Sequence, residues 1–288
     1  MFQFERGDRT KVAYRRKPME PAVRSMIERA FANKPEPKDF AGGLYGQEEV
    51  EADLALLEDR IARNSRPETQ KDIELKELAD IFEALVLLGV EKAEWMGKSV
   101  KASPTSDYDN SINKVDMVLE FRTGNESSHL GIVADVTFSS KREVIAEKFD
   151  YIRKKIKEGV LTEVKYYHSD ITNSDAHLTE LPEVVIGVSG RVVRELEDLA
   201  TEGNYQALSE HWAVVRILQQ MRAQLYSGGG YALRMGKKDL ARIYSGRLAI
   251  IDRILEAKKD LLEKVGSRGE DDPVHMEIMN FAENWSRY

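Results

Sequence analysis

The chain has 288 residues, of which 42% are hydrophobic and 32% are charged, and it contains no cysteine. This composition is typical of a globular protein with one large domain, or one domain and an appendage. The missing cysteine excludes disulfides, thiolate zinc sites and thiol nucleophiles. Five scattered histidines argue against a histidine-rich metal site, so a bound metal is expected on carboxylates, which favours Mg²⁺, Mn²⁺ or Ca²⁺.

The formal net charge of −7 argues against a protein coated in basic surface, but positive charge is concentrated locally. Residues 1–18 carry six Lys or Arg against two acids, and residues 141–158 carry seven against four. The first segment lacks the continuous apolar core of a signal peptide, and no stretch has the length of a membrane span. We therefore expect a cytoplasmic protein without a membrane partner.

The first part of the chain is predicted to be helical after a basic start. A short helix is expected over about 21–32, followed by a Pro- and Gly-containing linker that ends near residue 45. Apolar residues at three- and four-residue steps predict amphipathic helices over 47–64 and about 71–88.

After an extended segment, the hydrophobic period changes to that of strands. Short β-branched runs predict strands over 115–121 and 130–138, joined by a polar hairpin-like turn at 122–129. A helix follows over about 142–158, and then strands over 163–168 and 183–188 with a polar loop at 169–181.

The C-terminal part is predicted to be almost wholly helical, with helices near 191–202, 205–226, 237–265 and 271–284. The run Ser227–Gly230 is interpreted as a turn between helices, because it lacks the strand and the Lys-Ser/Thr of a phosphate loop. We therefore divide the chain into a basic segment and linker (1–45), an α/β core with a mixed sheet (46–190) and an all-helical C-terminal region (191–288). The C-terminal helices either cap the sheet or pair in a homodimer.

The acids Asp116 and Asp135 lie on the two strands that are expected to pair. Neighbouring buried carboxylates repel one another unless a cation or a proton neutralises them. Asp135 is conspicuous because Gly131–Phe138 is otherwise apolar enough for a central strand, although capping a backbone end would also explain it. Glu83 is a third candidate, because it interrupts the apolar run Ile81–Leu85.

The order of these features resembles the PD-(D/E)XK nuclease superfamily, which has a restriction-endonuclease-like fold. The resemblance covers about residues 72–168: a helix with Glu83, a strand with Asp116, a strand with Asp135-Val136-Thr137, a helix and a strand. It implies that Asp116 and Asp135 bind Mg²⁺ or Mn²⁺, with Glu83 near the metal. It also implies hydrolysis of phosphodiester bonds in nucleic acid, with DNA favoured over RNA.

The sequence departs from the family at position 137, where Thr replaces the motif lysine that polarises the attacking water or the phosphate. Electrostatic stabilisation is usually the largest catalytic contribution, so this loss matters. Either Lys141 or Lys148 from the next helix supplies the charge, or the fold has kept its acids and lost hydrolysis. The carbonyl of Ala134 or of Val136 is a further candidate ligand. Thr137 either bonds a water or is simply a strand former.

Other charged residues compete for roles near the site. Asp80 and Glu77 are alternatives to Glu83, and Asp109 either approaches the metal or forms an Asx-turn, which we favour. Contacts to nucleic-acid phosphates are expected from Arg15, Arg16 and Lys17 in the basic start and from Arg142 on the following helix.

Two functions therefore stay open, with a third as a weaker alternative. The first is a metal-dependent nuclease, and the second is an inactive nuclease-fold protein that binds nucleic acid or another protein. The third is a helical interaction protein in which the α/β module only supports the C-terminal bundle.

Overall fold

A four-stranded mixed sheet lies at the centre of the fold, surrounded by helices that make up most of the described chain. The computed structural model describes residues 19–64, 69–123, 126–137 and 142–285. At residues 123, 126, 133–137 and 142 it describes the backbone alone. The strands are β1 Val100–Pro104, β2 Met117–Thr123, β3 Glu126–Thr137, β4 Thr162–Ser169, β5 Ser174–Leu181 and β6 Glu183–Ser189. The α-helices are α1 Pro21–Ala30, α2 Gln47–Asn64, α3 Gln70–Glu91, α4 Arg142–Glu158, α5 Gly190–Thr201, α6 Tyr205–Ser209, α7 Trp212–Arg234, α8 Lys238–Ala257, α9 Lys259–Val265 and α10 Pro273–Asn284.

The sheet has the strand order β1-β2-β3-β6, and β4 pairs with β5 in a separate two-stranded ribbon. The pairs β1–β2 and β2–β3 are antiparallel, whereas β6 runs parallel to β3. The connection from β3 to β6 passes through α4 and the ribbon, as a parallel pair requires a long crossover. The predicted mixed α/β class is thereby confirmed.

The two faces of the sheet are covered by different layers. Met117, Leu119 and Phe121 of β2 belong to the main apolar core, which also contains the buried run of α3 and side chains of α7 and α10. Val118 points the other way and packs with side chains of the ribbon, including Leu181. This alternation is the period-two pattern of a strand buried on both sides.

The outer edge of β6 is closed by two side-chain amides of α7 instead of by another strand. Gln224 accepts from the Val185 N–H (2.8 Å) and donates to the Val185 carbonyl (2.6 Å). Gln220 does the same for Gly187, at 2.9 Å in both directions. The two glutamines are one helical turn apart and satisfy backbone groups that would otherwise be buried without partners.

The predicted helix over 47–64 is confirmed with its bounds, and those over 21–32, 71–88 and 142–158 are confirmed with shifts of a few residues at most. The prediction of a loop over 169–181 is wrong. Residues 174–181 form β5, whose side chains are mostly exposed, so a polar composition suits this outer strand of the ribbon. The extended segment before Asp116 contains β1.

The predicted turn at Ser227–Gly230 is also wrong, because α7 runs through these residues without a break. A Cβ on Gly228 would lie 2.7 Å from a ring carbon of Tyr244, so glycine lets α8 approach closely. The helix predicted over 205–226 is instead divided at His211, whose ring accepts from the Ala213 N–H and caps α7. The helix predicted over 237–265 is divided at Lys258 into α8 and α9.

Across the described ranges, no helix combines the length and the apolar character that crossing a membrane requires.

Candidate functional site

Helix α3 brings the Glu83 carboxylate to the edge of the core. Every residue from Ile81 to Val90 is buried except Glu83, which is half-buried. Burial raises the pKa of Glu83 to about 8, and the charges of Asp116 and Asp80 add to this effect. A carboxylate under such repulsion stays charged only if a cation compensates it, so Glu83 marks a candidate site.

Asp116 lies immediately before β2, which corrects the prediction that it lies within the strand. Its N–H still donates to the Ile132 carbonyl (3.0 Å), and its carbonyl accepts from the Thr105 N–H (3.1 Å). The chain bends here, because residue 114 has a left-handed conformation just before it. The Asp116 carboxylate accepts from the Asn110 amide at 3.1 Å, which fixes its orientation.

Asp135 lies on β3 near Asp116 along the sheet. The register pairs Met117 with Ile132, so the position facing Asp116 is 133, and Asp135 follows two residues later. Such diagonal neighbours are about 7–8 Å apart at the backbone. The Asp135 side chain lies outside the described part of the structure, as does that of Thr137, so the predicted approach of the two carboxylates stays a prediction.

A cavity of about 400 Å³ unites the charged residues of this region, and we call it the acid cavity. Its wall from α4 includes Val144, Tyr151 and Ile152. Its polar lining comes from α3, the loop before β2, α4 and the start of β6: Glu83, Asn110, Lys114, Asp116, Glu147, Lys148 and Glu183. The structure thus brings together Glu83, Asp116 and Lys148, which the sequence had singled out.

Glu183 is a member of the cavity that the sequence analysis missed. Its side chain is buried, and one carboxylate oxygen accepts from the Thr162 hydroxyl and lies 3.7 Å from the Lys155 ammonium. The other oxygen is buried without a hydrogen-bond partner in the described chain. Burial raises the pKa of Glu183 to about 7, Lys155 opposes the shift, and the Asp116 charge adds to it.

The structure describes only some of the basic side chains that were predicted to lie at the site. Lys148 lines the acid cavity, and its positive charge opposes the rise in the pKa of Glu83. Lys141, Arg15, Arg16 and Lys17 lie outside the described residues, and so does the side chain of Arg142. Lys114 lines the cavity although nothing in the sequence had marked it.

The competing acids lie away from the cavity wall. Burial raises the pKa of Asp80, and Asp80 acts on the site through its charge on Glu83; within the described residues, neither it nor Glu77 lines the cavity. Asp109 is fully buried and accepts from the N–H groups of Lys165 (2.7 Å) and Tyr166 (3.0 Å). These contacts give Asp109 a structural role, but they join it to β4. The Asx-turn that the sequence favoured stays a prediction.

The donor chemistry of the cavity fits a hard divalent cation. Carboxylate and amide oxygens converge there, one Glu183 oxygen has no hydrogen-bond partner among the described residues, and the chain has no thiolate to offer a soft metal. Among the side chains that the structure describes, no three His, Asp or Glu residues are close enough together to hold a metal ion. Asp135 is outside that set, so the fit concerns the kind of donor and not a complete ligand shell.

No family model, curated protein or solved structure matches this chain. The functional argument therefore rests on the residues of the acid cavity.

Proposed function

We propose that the chain is a divalent-metal-dependent nuclease that hydrolyses phosphodiester bonds in nucleic acid, with DNA favoured over RNA. The observation that carries this proposal is the convergence of Glu83, Asp116 and Lys148 on one cavity. The order of α3, β2, β3, α4 and the parallel strand β6 supports the further proposal of a restriction-endonuclease-like core.

Asp116, Asp135 and Glu83 would hold Mg²⁺ or Mn²⁺ in this proposal. Such a cation lowers the pKa of water and offsets negative charge on the scissile phosphate. The partial burial of Glu83 strengthens the electrostatic interactions of its own carboxylate, because less water screens them. Asn110 positions Asp116 through its amide, so the carboxylate needs little reorganisation before it binds.

In this proposal, Lys148 supplies the positive charge that the motif lysine would provide at position 137, where this chain has Thr. Its ammonium reaches the cavity from α4, the helix that follows β3, and acts on the same carboxylate as Asp116 does. A positive group at this place stabilises the charge that develops on a phosphate during hydrolysis. Lys141 remains the alternative source of this charge.

The direct test is incubation of the purified chain with plasmid DNA, single-stranded DNA and RNA in Mn²⁺, Mg²⁺ or EDTA. We expect metal-dependent cleavage that is lost in Asp116→Asn and in Asp135→Asn. Asp107→Asn is the matched control, because Asp107 is exposed and pairs with Lys34 at 2.5 Å outside the cavity. Cutting that persists in both site variants would show that the acids have been assigned wrongly.

A second candidate is an inactive nuclease-fold protein that acts as a nucleic-acid-binding or protein-interaction scaffold. Thr137 favours it, since the motif lysine is absent at its usual place. Metal-independent binding without cleavage would support this candidate over the first. The cytoplasmic location and a homodimer through the C-terminal helices also remain predictions, and sedimentation of the full chain tests the dimer.

A further inference from the structure

Lys114 has an unusual backbone conformation next to the acid cavity. It ends the π-helical turn Asp109–Asn113 with φ 66° and ψ 33°, and its N–H donates to the Asp109 carbonyl. In the described chain, only Glu94 and Asn173 are further non-glycine residues with positive φ. A side chain in this region is strained, and such strain is concentrated at functional sites when the surroundings enforce it.

The packing on both sides of the turn enforces the conformation of Lys114. Leu57 of α2 and Ile112 of the turn belong to one apolar cluster. On the opposite side, the Asp109 carboxylate accepts from two backbone N–H groups of β4. The turn is therefore fixed between α2 and β4, and the residue that follows it is placed at the rim of the cavity beside Asp116.

The Lys114 ammonium is available for a ligand. Its side chain makes no hydrogen bond or ion pair with any residue that the structure describes, and the residue is exposed. Burial of part of the side chain and then the charge of Arg60 lower the pKa of Lys114, while the charge of Asp116 opposes the shift. Arg60 lies one turn after Leu57 on the exposed side of α2, near enough for its charge to act on Lys114, although Arg60 does not line the cavity itself.

We propose that Lys114, with Arg60 beside it, contacts the phosphate backbone of a nucleic-acid strand where the strand enters the acid cavity. The inference rests on the proposed function, because it takes the strand that is cleaved as the ligand. Lys148 lies on the α4 wall of the same cavity, so the strand passes between cations on two sides and the acids inside. A lysine that is held at a strained position and forms no ion pair with a described residue suits a phosphate contact, since a point charge needs no fixed hydrogen-bond geometry.

The test measures binding of a fluorescent single-stranded oligonucleotide by anisotropy, in Ca²⁺ and over a series of KCl concentrations. For Lys114→Asn we expect affinity to fall about three- to tenfold. The slope of log K against log salt should become shallower by about 0.7, as for the loss of one phosphate contact. Lys114→Arg should keep both values. The melting temperature of Lys114→Asn should stay equal or rise, because asparagine tolerates the left-handed conformation.

Glu94→Asn is the matched control, because it relieves the same kind of backbone strain at a residue that does not line the cavity. It should keep the wild-type affinity and salt slope. Wild-type binding and slope in Lys114→Asn would overturn the inference, and so would equal losses in Lys114→Asn and Lys114→Arg together with a lower melting temperature.

Cleavage assays on the same proteins separate this inference from the proposed function. If the wild type cleaves while Lys114→Asn binds normally, the inference fails and the nuclease proposal stands. If the wild type binds without cleaving and Lys114→Asn loses affinity and slope, the inference stands and the nuclease proposal fails. A wild type that neither binds nor cleaves overturns both.

Discussion

Asp109 and Asp116 lie in the same short segment, yet their surroundings are opposite. Asp109 is fully buried, and its carboxylate accepts from Ser106, Asn113 and two backbone N–H groups of β4, at 2.7–3.0 Å. Asp116 is only half-buried, accepts from the Asn110 amide, and adds its charge to the acidic surroundings of Glu83 and Glu183.

The comparison of Asp109 with Asp116 shows that burial alone does not mark a functional acid. A buried carboxylate with a full set of donors stabilises the fold around it, and its charge is already used. Carboxylates that repel one another in a cavity store unfavourable energy that a cation releases. A cation that binds in the acid cavity would therefore gain by relieving this repulsion.

The largest expected effect is a loss of cleavage when Asp116 is replaced, and it tests the contrast between Asp116 and Asp109. Asp116→Asn removes a charge that the proposed reaction needs, so we expect metal-dependent cleavage to fall by about a thousandfold or more. The same change relieves repulsion on Glu83, so the melting temperature should hold or increase. Cleavage assays and thermal melting of one preparation check both. A variant that melts much lower would assign Asp116 a structural role like that of Asp109.

The second largest expected effect is a loss of stability when Asp109 is replaced. Asp109→Ala leaves several buried donors without an acceptor, so the free energy of unfolding should fall by about 3–5 kcal/mol. Urea unfolding followed by circular dichroism measures this loss. Asp107→Ala, at an exposed neighbouring aspartate, is the control and should change stability little. A stable Asp109→Ala protein would remove the structural half of the comparison.

The outer edge of β6 provides a second, fully paired polar region with a smaller expected effect. Gln224→Leu leaves the Val185 N–H and carbonyl without their side-chain partners, which should destabilise the protein by about 1–3 kcal/mol. Gln70→Leu is the control, since Gln70 is exposed at the start of α3. Urea midpoints of the two variants give the difference. Equal midpoints would mean that water replaces the amide of Gln224 without cost.

The effect that is smallest at neutral pH is a pH dependence of stability at the same edge. Burial and the charge of Arg216 lower the pKa of His275 to about 4, and the His275 ring accepts from the Gln220 amide at 3.2 Å. Because the unfolded chain binds this proton near pH 6.5, the contribution to stability is complete above pH 6.5 and is lost as pH falls towards 4. His275→Gln should flatten the urea midpoint between pH 6.5 and 4. An unchanged pH profile in this variant would exclude His275 as the source.

Much of the fold could be predicted because local patterns and tertiary packing agree. The apolar spacing of α2 gives its bounds directly, and the β-branched runs give β2, β3 and β6. The prediction of a turn at Ser227–Gly230 was wrong, because glycine there allows close packing against Tyr244. A local sequence pattern contains no information about this contact. β5 was missed because its mostly exposed side chains resemble those of a loop.

The site was predictable where a charge interrupts an apolar run. This reasoning selected Glu83, and it would also have selected Glu183, which precedes the run Val184–Ile186 and is followed by a buried strand. Lys114 carries no such signal. Its position depends on the packing of α2 and β4 around a turn, and these contacts join distant parts of the chain.

The amides of Gln220 and Gln224 have a consequence beyond the stability of one strand. An unpaired strand edge is a template on which another chain can add a strand and begin an aggregate. At β6 a new strand would have to displace both amides, and it would meet α7 instead of solvent. Two uncharged side chains of a neighbouring helix therefore protect the middle of this edge from domain swapping and fibril growth.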